Sequence, residues 1–186
     1  RFCVMATGCL SSTNLPDFPG RDSFAGETYH TGRWPHEGVD FSGKRVAVIG
    51  TGSSAIQSVP IIAQQAAQLT VFQRTASYTI PAHNAPIPAE EVQAIKRDYR
   101  GFRERNKQQP FGVDFGASNV SALAVSPADR EREYEARWAR GGLAFLGAFG
   151  DLLFDRAANE TAAEFIRRKI AGIVRDPALA AKLAPT

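Results

Sequence analysis

The chain has 186 residues, 44% of them hydrophobic and 22% charged, and carries a formal net charge of +3. That balance suits a folded, water-facing domain and excludes a disordered polyelectrolyte. Basic and acidic residues are interspersed in the C-terminal half, so no nucleic-acid patch stands out, and no apolar run approaches membrane-spanning length. Cys3 and Cys9 have neither metal-ligand nor redox spacing; they fit a reducing cytoplasm, and no metal site is expected.

Taken in order, residues 1–6 (Arg-Phe-Cys-Val-Met-Ala) read as a buried strand that Thr7-Gly8 ends. A chain that opens inside a strand, and closes on Ala184-Pro185-Thr186 without a capping element, is expected to be part of a longer enzyme. Residues 9–22 are a loop punctuated by Pro16, Pro19 and Gly20, residues 24–31 end in a short extended run, and residues 32–43 return to loop with a turn at Ser42-Gly43. Residues 45–49 (Arg-Val-Ala-Val-Ile) have the continuous apolar character of a strand buried on both faces. A glycine turn follows, then a helical pattern over 53–67, then a second strand over 69–72. Ala55, Ile56, Val59, Ile62 and Ala66 should face the sheet, and Pro60 should distort the helix locally. This is a βαβ unit.

Beyond Thr75 the texture becomes helical. Residues 77–80 suggest a short extended piece, and Pro81, Pro86 and Pro88 interrupt the chain. Helices are predicted over 90–106, from Ser126-Pro127 to about Arg140, over 143–153, over 159–174, and from Asp176-Pro177 onward, with a loop over 107–123. The fold class is therefore α/β: a Rossmann-like nucleotide-binding core with an incomplete parallel sheet over 44–88 and an inserted helical subdomain over 89–186. Residues 1–43 lead into that core.

The turn Gly50-Thr51-Gly52-Ser53-Ser54-Ala55 matches the dinucleotide pattern with Ala at its third fixed position. Gly50 allows a tight exit from the strand, and Gly52 lets backbone lie against a pyrophosphate. Ser53 and Ser54 open the helix, where unpaired N–H groups and the helix dipole favour an anion. Gln57, one turn into the helix, completes the expected contact set. The alternative is a glycine-rich βα turn that binds nothing. After the second strand stands Gln73-Arg74-Thr75 in place of the carboxylate that accepts a ribose hydroxyl in NAD sites. Arg74 suits a 2′-phosphate and Thr75 can add a hydroxyl, so NADPH is expected over NADH; the alternative is a solvated arginine.

The spaced set Phe24, Gly26, His30, Trp34 and Pro35, followed by Gly50, Gly52 and Ala55, resembles the fingerprint of the type I Baeyer–Villiger monooxygenases, nearest to the phenylacetone- and cyclohexanone-type enzymes. The resemblance implies an FAD-dependent enzyme that uses NADPH and O2 to convert ketones to esters or lactones. Under it, Ala6-Thr7-Gly8 is where the chain leaves the FAD domain, Arg74-Thr75 holds the NADPH phosphate, and the fingerprint is a hinge between nucleotide domains. The structural alternative for that segment has His30 simply hydrogen-bonded and Trp34 packed as a plug. The family's active-site arginine is expected beyond residue 186, so no catalytic residue is assigned in this chain. Two further readings stay open. One is a related flavin monooxygenase oxidising nitrogen or sulfur, which usually lacks the tryptophan. The other, for this segment alone, is a non-catalytic nucleotide-binding module.

Overall fold

The computed structural model describes residues 2–6, 8, 10, 12–109 and 111–185. Contacts divide the chain into two units, residues 1–74 and 75–186. The first is built on two parallel strands, β1 (Arg45–Ile49) and β2 (Gln68–Phe72), joined by helix α1 (Ser53–Gln65). Their register pairs Arg45 with Gln68 and Ile49 with Phe72, so both strands end at one level. Lys44 O accepts from Ala67 N–H at 2.9 Å, which closes the crossover on the start of β1.

Within α1, Ala55 and Ile62 are buried, seven residues apart on one face, as the helical period requires. Val59 and Ala66 are half-buried, whereas Ile56 points outward and is 40% exposed. Pro60 is accommodated inside the helix, whose last turn still closes with Ala66 N–H on Ile62 O. β1 differs from expectation. Its burial alternates, with Val46 and Val48 half-buried and Arg45, Ala47 and Ile49 exposed. One helix covers one face, and the two-residue period of the strand does the rest.

Other extended expectations are corrected too. Residues 2–6 form no strand and are exposed, because among the described residues none pairs with them in a β-ladder; Arg1, Thr7 and Cys9 lie outside the described residues. Residues 24–31 and 77–80 are likewise irregular. Short 3₁₀ turns occupy Arg21–Ser23 and Thr31–Arg33.

The second unit is helical: α2 (Ala89–Arg97), α3 (Tyr99–Lys107), α4 (Pro127–Arg140), α5 (Arg156–Ile173) and α6 (Pro177–Leu183). The single helix predicted over 90–106 is two, broken at Asp98, whose backbone (φ −130°, ψ 52°) leaves the helical region so that its side chain can accept from Gly101 N–H. The helix predicted over 143–153 is a 3₁₀ stretch, Gly142–Gly147, followed by turns. The other starts follow capping chemistry. Ser126, Asp155 and Asp176 each accept backbone N–H groups of the first turn, and Pro127 and Pro177 stand where no donor is needed.

The core of this unit centres on Tyr134 of α4, whose ring lies 5.4 Å from Phe145, 5.4 Å from Phe149 and 5.3 Å from Phe165 of α5. Its hydroxyl bonds Thr161 Oγ1 at 2.7 Å, so the one polar atom inside is satisfied. Burial raises the Tyr134 pKa, against the lowering effect of Thr161. Arg168–Glu131 and Lys169–Glu135 pairs join α5 to α4 at the surface. Among the described residues no helix is long and apolar enough to cross a membrane, and no cluster of His, Cys, Asp or Glu could hold a metal.

Candidate functional site

β1 delivers the chain to Gly50, whose N–H donates to Phe72 O at 2.8 Å and extends the ladder one step beyond Ile49. Gly50 then turns with φ +102°, a conformation that L-side chains rarely adopt. Gly52 is different. Its φ of −73° and ψ of −179° suit any residue, and a Cβ there would meet no atom within 4 Å. Neither backbone nor packing in this chain asks for glycine at position 52.

Helix α1 starts at Ser53 with no side-chain cap and no acidic residue in its first turn. The N–H groups of Ser53, Ser54 and Ala55 therefore open the helix with its positive end unneutralised. Ser53, Ser54 and Gln57 are exposed, while Ala55 is buried and seats the helix. Gln57 Nε2 donates to Ser53 O at 2.9 Å, bracing the first turn. Since β1 and β2 end in register, Gln73 and Arg74 leave the sheet at the same end as the glycine turn. Arg74 is exposed and makes no hydrogen bond or ion pair among the described residues. Thr51, Gln73 and Thr75 each have a partner within the protein. Free backbone N–H groups at the start of α1, with the Arg74 guanidinium leaving the sheet at the same end, are the donor types that an anion takes.

The fingerprint residues lie in the same unit. Phe24 is 62% exposed and folds over Gly26, where a Cβ would stand 2.6 Å from the ring. His30 Nδ1 accepts from Gly32 N–H at 3.0 Å, and Arg33 N–H donates to His30 O at 2.8 Å, so side chain and backbone close one turn together. Trp34 emerges from that turn into a triangle of rings, 5.9 Å from Tyr29 and 6.1 Å from Phe41, with Tyr29 and Phe41 6.4 Å apart edge to face. Pro35 is half-buried and its carbonyl accepts from Gly38 N–H at 3.0 Å. Phe41 is buried, and its N–H donates to Gln65 Oε1 of α1 at 3.4 Å. Glu27 pairs with Lys44 at 2.7 Å, which lowers the Glu27 pKa and raises that of Lys44.

A sequence family described as flavin-binding monooxygenase-like matches residues 2–90. A Baeyer–Villiger monooxygenase of Pseudooceanicola batsensis is 43% identical over all of this chain and 34% of its own length. A solved steroid monooxygenase bound to NADP superposes with a TM-score of 0.88 at 50% identity, covering 97% of this chain and 35% of that one. The chain belongs to the type I Baeyer–Villiger monooxygenase family. It spans about a third of the length of the curated relatives it matches. A phenazine N-monooxygenase of Lysobacter antibioticus is also similar, at 40% identity over all of this chain and 35% of its length.

In this Baeyer–Villiger chain, then, the structure brings Gly50 to Ala55 and Arg74 to one end of the βαβ unit and gathers His30, Trp34 and Pro35 around Phe41. Sequence reasoning missed Glu27, Tyr29, Phe41, Lys44 and Gln65, which tie the fingerprint segment to β1 and α1. Their spacing follows no period, so only the fold reveals them. A groove in the second unit lined by Val125, Arg132, Glu133, Arg137 and Phe149 offers no comparable chemistry. Arg137 there is engaged by Glu133 and by the carbonyls of Gly116 and Ala144.

Proposed function

We propose that this chain is the NADPH-binding portion of an FAD-dependent Baeyer–Villiger monooxygenase that oxidises ketones to esters or lactones with O2. The observation that carries the reading is Gly52: the protein has no internal reason for glycine there, whereas a pyrophosphate lying on the turn would supply one. The donor set fits that group. Gly50, Thr51, Gly52, Ser53, Ser54 and Ala55 would hold the pyrophosphate, with Gln57 bracing the turn, and Arg74 with Thr75 would take the 2′-phosphate. Bound NADPH supplies the hydride that reduces the flavin. The chain's own residues bind and orient it; FAD, ketone and O2 are assigned to the complete enzyme. Residues 44–88 are read as the Rossmann-like core, 89–186 as the helical subdomain, and 1–43 as the link from the FAD domain. Two cysteines without metal-ligand or redox spacing fit a cytoplasmic setting in this reading.

Titration of the purified chain with NADPH, NADH and FAD tests it. NADPH should bind selectively, and Arg74→Ala should weaken it about 10- to 100-fold, the worth of a charged hydrogen-bond pair, while leaving NADH unchanged. NADH binding as tightly as NADPH would sink the phosphate assignment. The second reading, nitrogen oxygenation, is favoured by the phenazine-oxidising relative. Trp34 of the fingerprint favours the ketone. Assays of the complete enzyme with a cyclic ketone and with a phenazine decide between them.

A further inference from the structure

His30 sits in the fingerprint, yet what it does is local. Its Nδ1 lies 3.0 Å from Gly32 N and can only be the acceptor. That bond needs a lone pair on Nδ1, which the neutral imidazole with its proton on Nε2 offers and the imidazolium does not. A protonated imidazole would point N–H at N–H. The turn so held spans Thr31–Arg33, and Trp34 is its C-terminal cap with φ −65° and ψ 134°, the residue that enters the Tyr29–Phe41 triangle. Phe41 is bonded in turn to Gln65 of α1, the helix whose first turn faces the proposed pyrophosphate. Space around the ring is tight, since a Cβ on Gly32 would stand 3.3 Å from His30 Nδ1 and 3.2 Å from Thr13 Oγ1.

From this geometry we infer that neutral His30 is a positioning residue: by capping its turn through Nδ1 it seats Trp34 against Phe41, holding the fingerprint segment onto the nucleotide-binding unit, and protonation releases it. The inference deepens the NADPH reading, because it ties the segment around His30 and Trp34 to the nucleotide-binding unit. Charged and titratable groups on the surrounding segments are Glu27, Lys44 and Glu37, which act on the adjacent Tyr29, together with Tyr29 itself, Arg33, His36 and Asp40. His30 has no ion pair among the described residues. Glu27 is held low by Lys44, so its titration falls at more acid pH than a histidine's.

The test needs no cofactor, so its failure and failure of the NADPH reading are separable. In the full chain carrying Trp138→Phe, His36→Gln and His83→Asn, Trp34 is the sole indole and His30 the sole histidine. Its emission is followed from pH 8 to pH 5, the interval in which histidines take up a proton. A single transition to a more solvent-exposed spectrum is expected. His30→Asn, whose amide oxygen caps without titrating, should abolish the transition and keep the high-pH spectrum throughout. His30→Ala should show the acid spectrum throughout. A transition that persists in His30→Asn, or a high-pH spectrum in His30→Ala, overturns the inference. So does a wild-type spectrum that does not move with pH.

Discussion

At the residue scale the two glycines of the turn part company. Gly50 is required by its own backbone, so Gly50→Ala should cost about 1–2 kcal/mol of stability for a side chain held at positive φ. Gly52→Ala should leave stability unchanged or raise it by about 0.4–1 kcal/mol, since the position is sterically and conformationally open. Nucleotide affinity should fall in both. Urea denaturation beside NADPH titration separates the two, and loss of stability in Gly52→Ala would remove the argument that a ligand explains this glycine. The pattern of glycines was legible in the sequence; which of them answers to the chain and which to something outside it was not, because that depends on φ and on empty space. Arg74 was legible as well, since a strand end without a carboxylate is a statement about sequence. His30 was legible only as a member of a spaced set, and its partner two residues on is backbone, which no side-chain pattern announces.

At the element scale, the joint between α2 and α3 shows what periodicity overlooks. Val92, Ile95, Tyr99 and Phe102 keep helical spacing across the break, so the pattern reads as one helix. Asp98 competes with it by offering its carboxylate to Gly101 N–H and to Arg105. Arg105 first, then Gly101 N–H, lowers the Asp98 pKa. A carboxyl whose folded pKa is depressed contributes stability above its unfolded value, and that contribution is lost as pH falls through the folded one. Helicity of α3 should therefore decline below about pH 4, near and under the ordinary aspartate value. Asp98→Asn should flatten that part of the acid profile in circular dichroism at fixed temperature; an unchanged profile would place the acid sensitivity elsewhere. Gly101→Ala should fray the same joint at neutral pH, because a Cβ would run into the Asp98 carboxylate. Strands were legible where a crossover helix supplied a partner, as for β1 and β2. Residues 2–6 have equal strand character and no neighbour to pair with, and a ladder is a property of two segments rather than one.

At the scale of the whole molecule, the cores of the two units are unequal. The second unit holds Tyr134, Phe145, Phe149, Leu152, Phe165 and Ile166 in one cluster, whereas buried apolar residues of the first are Phe41, Ala55 and Ile62. Phe165→Ala should cost the second unit about 3–5 kcal/mol, the usual penalty for emptying a buried aromatic site. Hydrogen exchange should then show lost protection in α5 while β1 and β2 keep theirs, and equal losses in both units would mean that they unfold as one. The βαβ unit also keeps Ile49 at 70% exposure and Phe72 at 56% when folded. That wet face has a thermal consequence. Heat capacity rises on unfolding in proportion to apolar surface newly hydrated, about 12–15 cal/mol/K per residue for typical domains. A unit that hydrates Ile49 and Phe72 already has less to add, so its increment per residue should fall below that of the Tyr134-centred unit. Its stability then varies only gently with temperature, while the helical unit follows a curved profile with a distinct maximum, and the two respond differently to the same cooling.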